Sequence, residues 1–181
     1  MIALFSSVIN VLAIIADDGA NFEQRFEVNN LLQLMLSFEF IFSQHLMKTL
    51  LGIRNELSKA LQKKDQDFVN AMNLVKICKQ RLQLVRDDGR DSIFSQVSTF
   101  CGVHEILIPN MDDTFVAQGR SRCKAPEVTN LHHFRVDIFY SVIDMQLQEL
   151  NYCFNEVNTD LLLCVACLCP NDSFATFDNK C

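Results

Sequence analysis

The feature that most constrains the fold is the unbroken run from Glu127 to Leu150, EVTNLHHFRVDIFYSVIDMQLQEL. The apolar residues of this run recur at steps of three to five, and the pattern continues beyond Leu150. This spacing places them in a stripe along one side of a helix. The stripe comprises Val128, Leu131, Phe134, Ile138, Val142, Met145, Leu150, Phe154 and Val157. Thr129 or Asn130 suits the N-cap position. Because such a stripe is stabilised mainly by packing, the run predicts a long amphipathic helix with partner helices.

The composition also favours an all-α fold. Of the 181 residues 49% are hydrophobic, and there are only 5 Gly and 3 Pro, too few for a turn-rich β-sandwich or barrel. We therefore predict one domain, a multi-helix bundle with one long amphipathic helix in its C-terminal half. Its expected parts are a helical bundle over 1–104, an irregular basic loop over 105–126, the long helix with a short Cys-rich helix over 127–169, and a frayed tail over 170–181.

Earlier segments of the chain supply the partner helices. Apolar spacing predicts helices over about 1–16, 21–43, 44–64 and 67–86, and a short helix that begins at Asp91. Asn21 is the expected N-cap of the second helix, and Asp87-Asp88-Gly89 is an expected break. The 15 Phe residues recur at helical spacings, which favours core packing.

The segment Met1 to Ala16 is strongly apolar and has two interpretations. A buried helix is favoured, with Ser6, Asn10 and Asp17 on its polar face. A secretory signal is the alternative, but no Lys or Arg precedes the apolar part and Asn10 interrupts it. The segment is also too short to span a bilayer, so no membrane association is expected.

A basic cluster stands out in the irregular segment 105–126. Arg120, Arg122 and Lys124 lie close together in a chain whose formal net charge is -6. A solvated loop, contact with the DNA backbone and contact with a partner protein are all compatible with three such charges. These three residues are the candidate nucleic-acid-binding site.

Eight cysteines raise the question of a metal site. Cys164 and Cys167 form a CxxC, with Cys169 close by, but a structural zinc site needs a fourth ligand. Leucines and Val165 surround the motif, which favours buried thiols; a metal site and disulfides are the alternatives. The absence of a signal suggests a reducing, cytoplasmic compartment. No metal or other cofactor is expected.

The sequence shows no arrangement that is typical of an enzyme. Paired acids occur at Asp17-Asp18, Asp87-Asp88 and Asp112-Asp113, each at an expected helix end or in a loop, where Asp is a common cap and turn residue. There is no Gly-rich phosphate loop and no GxSxG. His132 and His133 are adjacent and would point about 100° apart on a helix, so they do not share a metal. We expect neither catalysis nor a small-molecule substrate.

Several strings resemble hAT-type transposase-like proteins of plants, which are often labelled zinc finger MYM-type protein 1-like. They are HLMKTLLGIRNELSKALQKKDQDFVNAM from His45, VSTFCGVHEILIPNMDDTFVAQGRSRCKA from Val97, and EVTNLHHFRVDIFY with LLLCVACL after it. The resemblance covers nearly the whole chain. In that family a ribonuclease-H-like core carries three catalytic acids, and a helical insertion separates the second Asp from the Glu.

The resemblance implies that this chain is the helical insertion without its catalytic core. No position matches the three catalytic acids, the TTF-type zinc finger or the dimerisation region of the family. It implies a nuclear, non-catalytic fragment of a domesticated or degenerate transposase-like protein, with weak DNA or partner contacts. A helical interaction scaffold with no nucleic-acid role is the alternative. A face that once packed on the core would be bare, so self-association through exposed apolar faces is also expected.

We predict that any DNA binding is weak, independent of sequence and centred on Arg120, Arg122 and Lys124. Because each phosphate contact releases condensed counterions, about three contacts give a log–log salt slope of about -3. The measurement is a salt titration of the wild type against a variant with all three residues changed to Ala. Equal affinity of the two proteins would remove this segment from any DNA role.

Overall fold

The computed structural model describes residues 2–18, 21–62, 68–116 and 128–155 of the chain. Over these ranges the regular structure is helical and contains no strand, which confirms the predicted all-α class. One isolated antiparallel bridge joins Thr114 to Thr129. Residues 105–110 form no strand, and Glu105 has a positive φ of 55°.

The helices have the following bounds. A 3-10 turn, Ile2–Leu4, precedes α1 (Phe5–Asp18), α2 (Phe22–Met35), α3 (Phe38–Leu61) and α4 (Phe68–Val103). The long C-terminal run consists of α5 (Asn130–His132), a π-helix (His133–Tyr140) and α6 (Ser141–Cys153). None of the described helices combines the length and apolar character needed to cross a bilayer.

Contacts divide the chain into two compact units. Unit 1 comprises Met1–Lys48 and Arg90–Phe139, and unit 2 comprises Thr49–Gly89 and Tyr140–Cys181. Helices α3 and α4 and the π-helix each contribute residues to both units. Each unit has its own set of buried apolar side chains.

An aromatic cluster forms the core of unit 1. Phe42 is fully buried, and its ring centroid lies 4.9 Å from that of Phe94 and 5.5 Å from that of Phe134. Phe38 meets Phe134 edge to face at 5.0 Å. Such edge-to-face and tilted pairs add to the stabilisation from buried area, and here they join α3, α4 and the π-helix.

Unit 2 is built on apolar stripes from three helices. The buried side chains are Leu50, Ile53 and Leu57 of α3, Val75, Cys78 and Leu82 of α4, and Ile143 and Leu150 of α6. Arg86 of α4 binds both carboxylate oxygens of Asp144, at 2.5 and 3.1 Å, and lies over the ring of Tyr140. The hydrogen bond from Arg86 lowers the pKa of the Asp144 carboxyl.

Asn21 caps α2 as predicted, because its side-chain oxygen accepts the backbone N–H of Gln24 at 2.8 Å. The predicted extent of that helix to residue 43 is wrong. The chain breaks at Leu36 and Ser37, and α3 begins at Phe38. The Ser37 hydroxyl accepts the backbone N–H of Phe40, so a serine inside an apolar run serves as an N-cap.

The expected break at Asp87-Asp88-Gly89 is also wrong, since α4 runs through it to Val103. Buried residues continue at helical spacing on both sides, from Leu82 to Ile93 and Val97. The Asp87 carboxylate accepts from the side chain of Gln83 one turn earlier, so it bonds within the helix. Packing on either side outweighs the cost of about 1 kcal/mol for a helical glycine.

The long C-terminal run is helical, and Thr129 is its N-cap, with its hydroxyl accepting the N–H of His132 at 3.2 Å. The predicted apolar stripe is wrong in part. Buried residues step by five from Phe134 to Phe139, whereas Met145 is 61% exposed. A π-helix closes its hydrogen bonds one residue later than an α-helix, so the buried face shifts along the sequence.

The core assignment of the first two helices is also wrong. In α1 the buried side chain is Phe5, while Val11 and Ile14 are more than half exposed. In α2 the buried side chain is Met35, and Phe22 and Phe26 are exposed although their spacing suggested core packing. These helices therefore present apolar surface to solvent.

We predict that Phe42→Ala lowers the free energy of unfolding by about 3–5 kcal/mol, because it removes a fully buried ring from the aromatic cluster. The measurement is urea unfolding followed by circular dichroism at 222 nm. Phe26→Ala is the matched control, since its side chain is 58% exposed. A loss in the control as large as that in Phe42→Ala would contradict the burial assigned here.

Candidate functional site

The predicted nucleic-acid-binding residues Arg120, Arg122 and Lys124 lie outside the described residues. The Cys-rich motif around Cys164 and Cys167 also lies outside them. The structure does describe both flanks of the basic segment, up to residue 116 and from residue 128 onwards. Those flanks show how the segment is attached to unit 1.

Backbone hydrogen bonds hold the two flanks side by side, and we call residues 110–115 with 128–131 the loop clamp. The N–H of Phe115 donates to the Val128 carbonyl at 2.8 Å, and the N–H of Asn130 donates to the Asp113 carbonyl at 2.8 Å. Two further bonds run from Leu131 to Met111 and from the Asn130 amide to Asn110. The clamp closes the base of the basic segment, because the chain leaves and re-enters at adjacent positions.

His133 packs against this clamp. Its ring is stacked on Phe115, with centroids 3.6 Å apart and an interplanar angle of 13°. Nδ1 lies 3.2 Å from a carboxylate oxygen of Asp137, and Nε2 lies 3.9 Å from one of Glu39. Nε2 is buried without a hydrogen-bond partner among the described residues. The histidine joins the clamp to the π-helix through its stacking on Phe115 and its contact with Asp137.

The described residues contain no group of three His, Cys, Asp or Glu side chains that could hold a metal ion. The paired acids have local roles instead. The Asp113 carboxylate accepts from the Asn110 amide at 3.1 Å within the clamp, and Asp17 and Asp18 end α1. Asp87 bonds within α4.

The described thiols are not disposed as nucleophiles. Cys78 and Cys101 are free and buried, and burial raises the pKa of both thiols, which favours the unreactive protonated form. Cys153 is exposed at the end of α6.

A second candidate region is the set of exposed apolar side chains on the first two helices, which we call the α1–α2 surface. The helices pack against each other, and the surface carries the exposed apolar side chains Leu4, Val11, Ile14, Phe22, Phe26, Leu31 and Leu34. Phe22 is 77% exposed and Ile14 is 61% exposed. Large exposed apolar side chains in such number favour a contact role for these two helices.

A shallow hollow marks one part of the α1–α2 surface. It has a volume of about 280 Å³ and is lined by Ala16 at the end of α1 and by Phe22, Arg25, Phe26 and Asn29 of α2. Two phenylalanines and an alanine make it mainly apolar, while the Arg25 guanidinium and the Asn29 amide lie at its polar side. The hollow can receive an apolar side chain.

The charges on the α1–α2 surface are mostly negative. Asp17, Asp18, Glu23 and Glu27 are all exposed, and Arg25 is the one basic residue between positions 2 and 36. Within the described ranges none of these five side chains forms an ion pair. Acids of other helices have partners, such as Glu56 with Arg81.

Sequence reasoning missed this surface because it assigned each phenylalanine to a core. One signal in α2 could have revealed it. Val28, Leu32 and Met35 form the stripe with least exposure, whereas Phe22, Phe26 and Leu31 point elsewhere around the helix. Apolar residues on more than one face of a surface helix indicate more contacts than one neighbouring core can supply.

No protein-family model and no solved structure matches this chain. The resemblance to hAT-type transposase-like proteins therefore stays a prediction from the quoted sequence strings.

We predict that Phe115→Ala loosens the loop clamp, because it removes the ring stacked on His133. An aromatic pair contributes about 0.5–1.5 kcal/mol, so the backbone amides of Asn130 and Leu131 should exchange several-fold faster with deuterium. Hydrogen exchange followed by NMR measures this rate. Tyr152→Ala, which truncates a 79% exposed ring, is the control, and equal exchange in the two variants would contradict the prediction.

Proposed function

We propose that this chain is a non-catalytic helical interaction module whose principal contact surface is the α1–α2 surface. The observation that carries the proposal is the exposure of large apolar side chains on both helices, including Val11, Ile14, Phe22 and Phe26. Removing such side chains from water is favourable by about 25 cal/mol per Å² of apolar area. A partner that covers them gains this free energy, which a folded monomer leaves unused.

We further propose that the module derives from the helical insertion of an hAT-type transposase-like protein, with a nuclear location. Its all-helical structure and the sequence strings quoted above support this origin. An insertion that rests on a catalytic core needs an apolar face for that contact. The α1–α2 surface is a candidate for such a face.

The absence of catalysis is part of the proposal. It is supported by the local roles of the paired acids, since metal-dependent DNA cleavage requires carboxylates that converge on the metal ions. Asp113 bonds within the loop clamp and Asp87 bonds within α4, so neither is oriented by a shared site.

A second candidate function is weak contact with the DNA backbone through Arg120, Arg122 and Lys124. The loop clamp favours it, because hydrogen bonds at both flanks hold the ends of the basic segment at one position of unit 1. A segment closed at its base loses less conformational entropy on binding than one with a free end.

We predict that the isolated protein self-associates weakly at tens of micromolar through the α1–α2 surface. Self-association should increase with salt, because salt screens the repulsion between acidic residues of two copies and leaves apolar contact intact. Light scattering at two salt concentrations measures the effect. Phe22→Ser with Phe26→Ser should reduce it.

The matched control is Leu51→Ser with Leu84→Ser, which changes two exposed apolar residues of unit 2. Circular dichroism establishes that both variants keep the helical fold. A wild-type protein that stays monomeric under all conditions, and whose binding to hydrophobic dyes is unchanged in the Phe22/Phe26 variant, would refute the contact surface.

A further inference from the structure

We propose that the α1–α2 surface is a docking site for a basic amphipathic helix. The inference rests on the proposed function and specifies the partner's chemistry. The apolar face of the partner helix would cover Phe22, Phe26 and the hollow between them and Ala16. Its Lys and Arg side chains would pair with the exposed acids of the same two helices, Asp17, Asp18, Glu23 and Glu27.

The apolar part of the surface has the spacing that a helical partner requires. In α1 the exposed residues Val11 and Ile14 are three positions apart, which places them on one side of the helix. In α2 the exposed rings of Phe22 and Phe26 are four positions apart and line the hollow with Ala16. A helix that docks in a groove contributes apolar side chains at the same steps of three and four.

The anchoring of the α1–α2 pair leaves this face accessible. Phe5, in the first turn of α1, is buried against Phe100 and His104, with ring centroids 5.2 and 5.1 Å away. Met35 is buried at the last turn of α2. Between these two positions no described side chain of α1 or α2 is fully buried, so the intervening apolar side chains are available to a partner.

The charge of the surface selects a basic partner. Asp17, Asp18, Glu23 and Glu27 with Arg25 give these two helices a formal net charge of -3. Several acids elsewhere pair with bases of the fold, as Asp144 with Arg86 and Glu149 with Arg54. The acids of α1 and α2 lack such partners within the described residues, so a cationic helix would meet carboxylates that are still available.

The same charge makes other occupants poorer fits. A second copy of the chain would bring two sets of acids together, and juxtaposed like charges oppose association. An anionic membrane surface would be repelled for the same reason. The basic segment of this chain, AQGRSRCKAPE at 117–127, supplies cations but no apolar stripe. A separate helix that combines both properties fits best.

The test uses the full chain and two fluorescent peptides with the same Leu positions, one with Lys and one with Glu at every polar position. Fluorescence anisotropy measures their affinities. The Lys peptide should bind at least about tenfold more tightly than the Glu peptide, and its affinity should fall as salt rises. This salt response is opposite in sign to that expected for self-association.

Two pairs of variants locate the binding site. Phe22→Ser with Phe26→Ser should lower the affinity for the Lys peptide, while Leu51→Ser with Leu84→Ser should not. Glu23→Gln with Glu27→Gln should also lower this affinity. Asp88→Asn with Asp112→Asn removes the same charge from exposed positions elsewhere and should leave the affinity unchanged. Retained helicity in each variant is checked by circular dichroism.

Three outcomes would overturn the inference. They are equal affinity for the two peptides, equal weakening by the two charge variants, and a tight dimer from which the Lys peptide is excluded. Under any of these three outcomes, Phe22→Ser with Phe26→Ser can still reduce peptide binding or self-association. The proposed function then survives although the inference fails. If that variant changes neither peptide binding nor self-association, the proposed function fails as well.

Discussion

The packing of aromatic rings around Phe42 is the interaction on which the rest of unit 1 depends. Phe42 is fully buried, and its contacts with Phe94 and Phe134 join α3, α4 and the π-helix. These elements are far apart in sequence, so the free energy of the cluster offsets the entropy of closing long loops. Phe134 directly follows His133, whose ring stacks on Phe115. The aromatic core therefore also determines where the loop clamp forms.

The loop clamp gives a basic segment in an acidic chain a defined attachment. Hydrogen bonds from Phe115 to Val128 and from Asn130 to Asp113 bring residues 116 and 128 close together. The clamp satisfies backbone groups that a connection between helices would otherwise leave to water. The proposed contact of Arg120, Arg122 and Lys124 with the DNA backbone draws on this attachment of the flanks.

The α1–α2 surface lies in the same unit but has a different energetic basis. Within the described ranges Phe5 and Met35 are the two buried side chains of these helices. With so few buried side chains, α1 and α2 gain little stability from packing on the rest of unit 1. Helices of 14 residues are marginal in isolation, and most helical stability comes from tertiary packing. A partner helix over Phe22 and Phe26 would supply packing that the chain itself does not. We therefore expect partner binding to stabilise these two helices more than the aromatic core.

By itself the sequence determined the helical class and the caps at Asn21 and Thr129, because helical periodicity and side-chain capping depend on neighbours within one or two turns. The tertiary structure decided which apolar faces are buried. Through the π-helix, Phe139 became part of the buried stripe. Helix α4 continues past Gly89, and Phe22 is exposed to solvent. The candidate site divides in the same way. The basic residues could be recognised from composition and the apolar residues on several faces of α2 hinted at its exposed surface, whereas the clamp could not be predicted. Burial and pairing depend on contacts between segments far apart in sequence, and no local pattern records them.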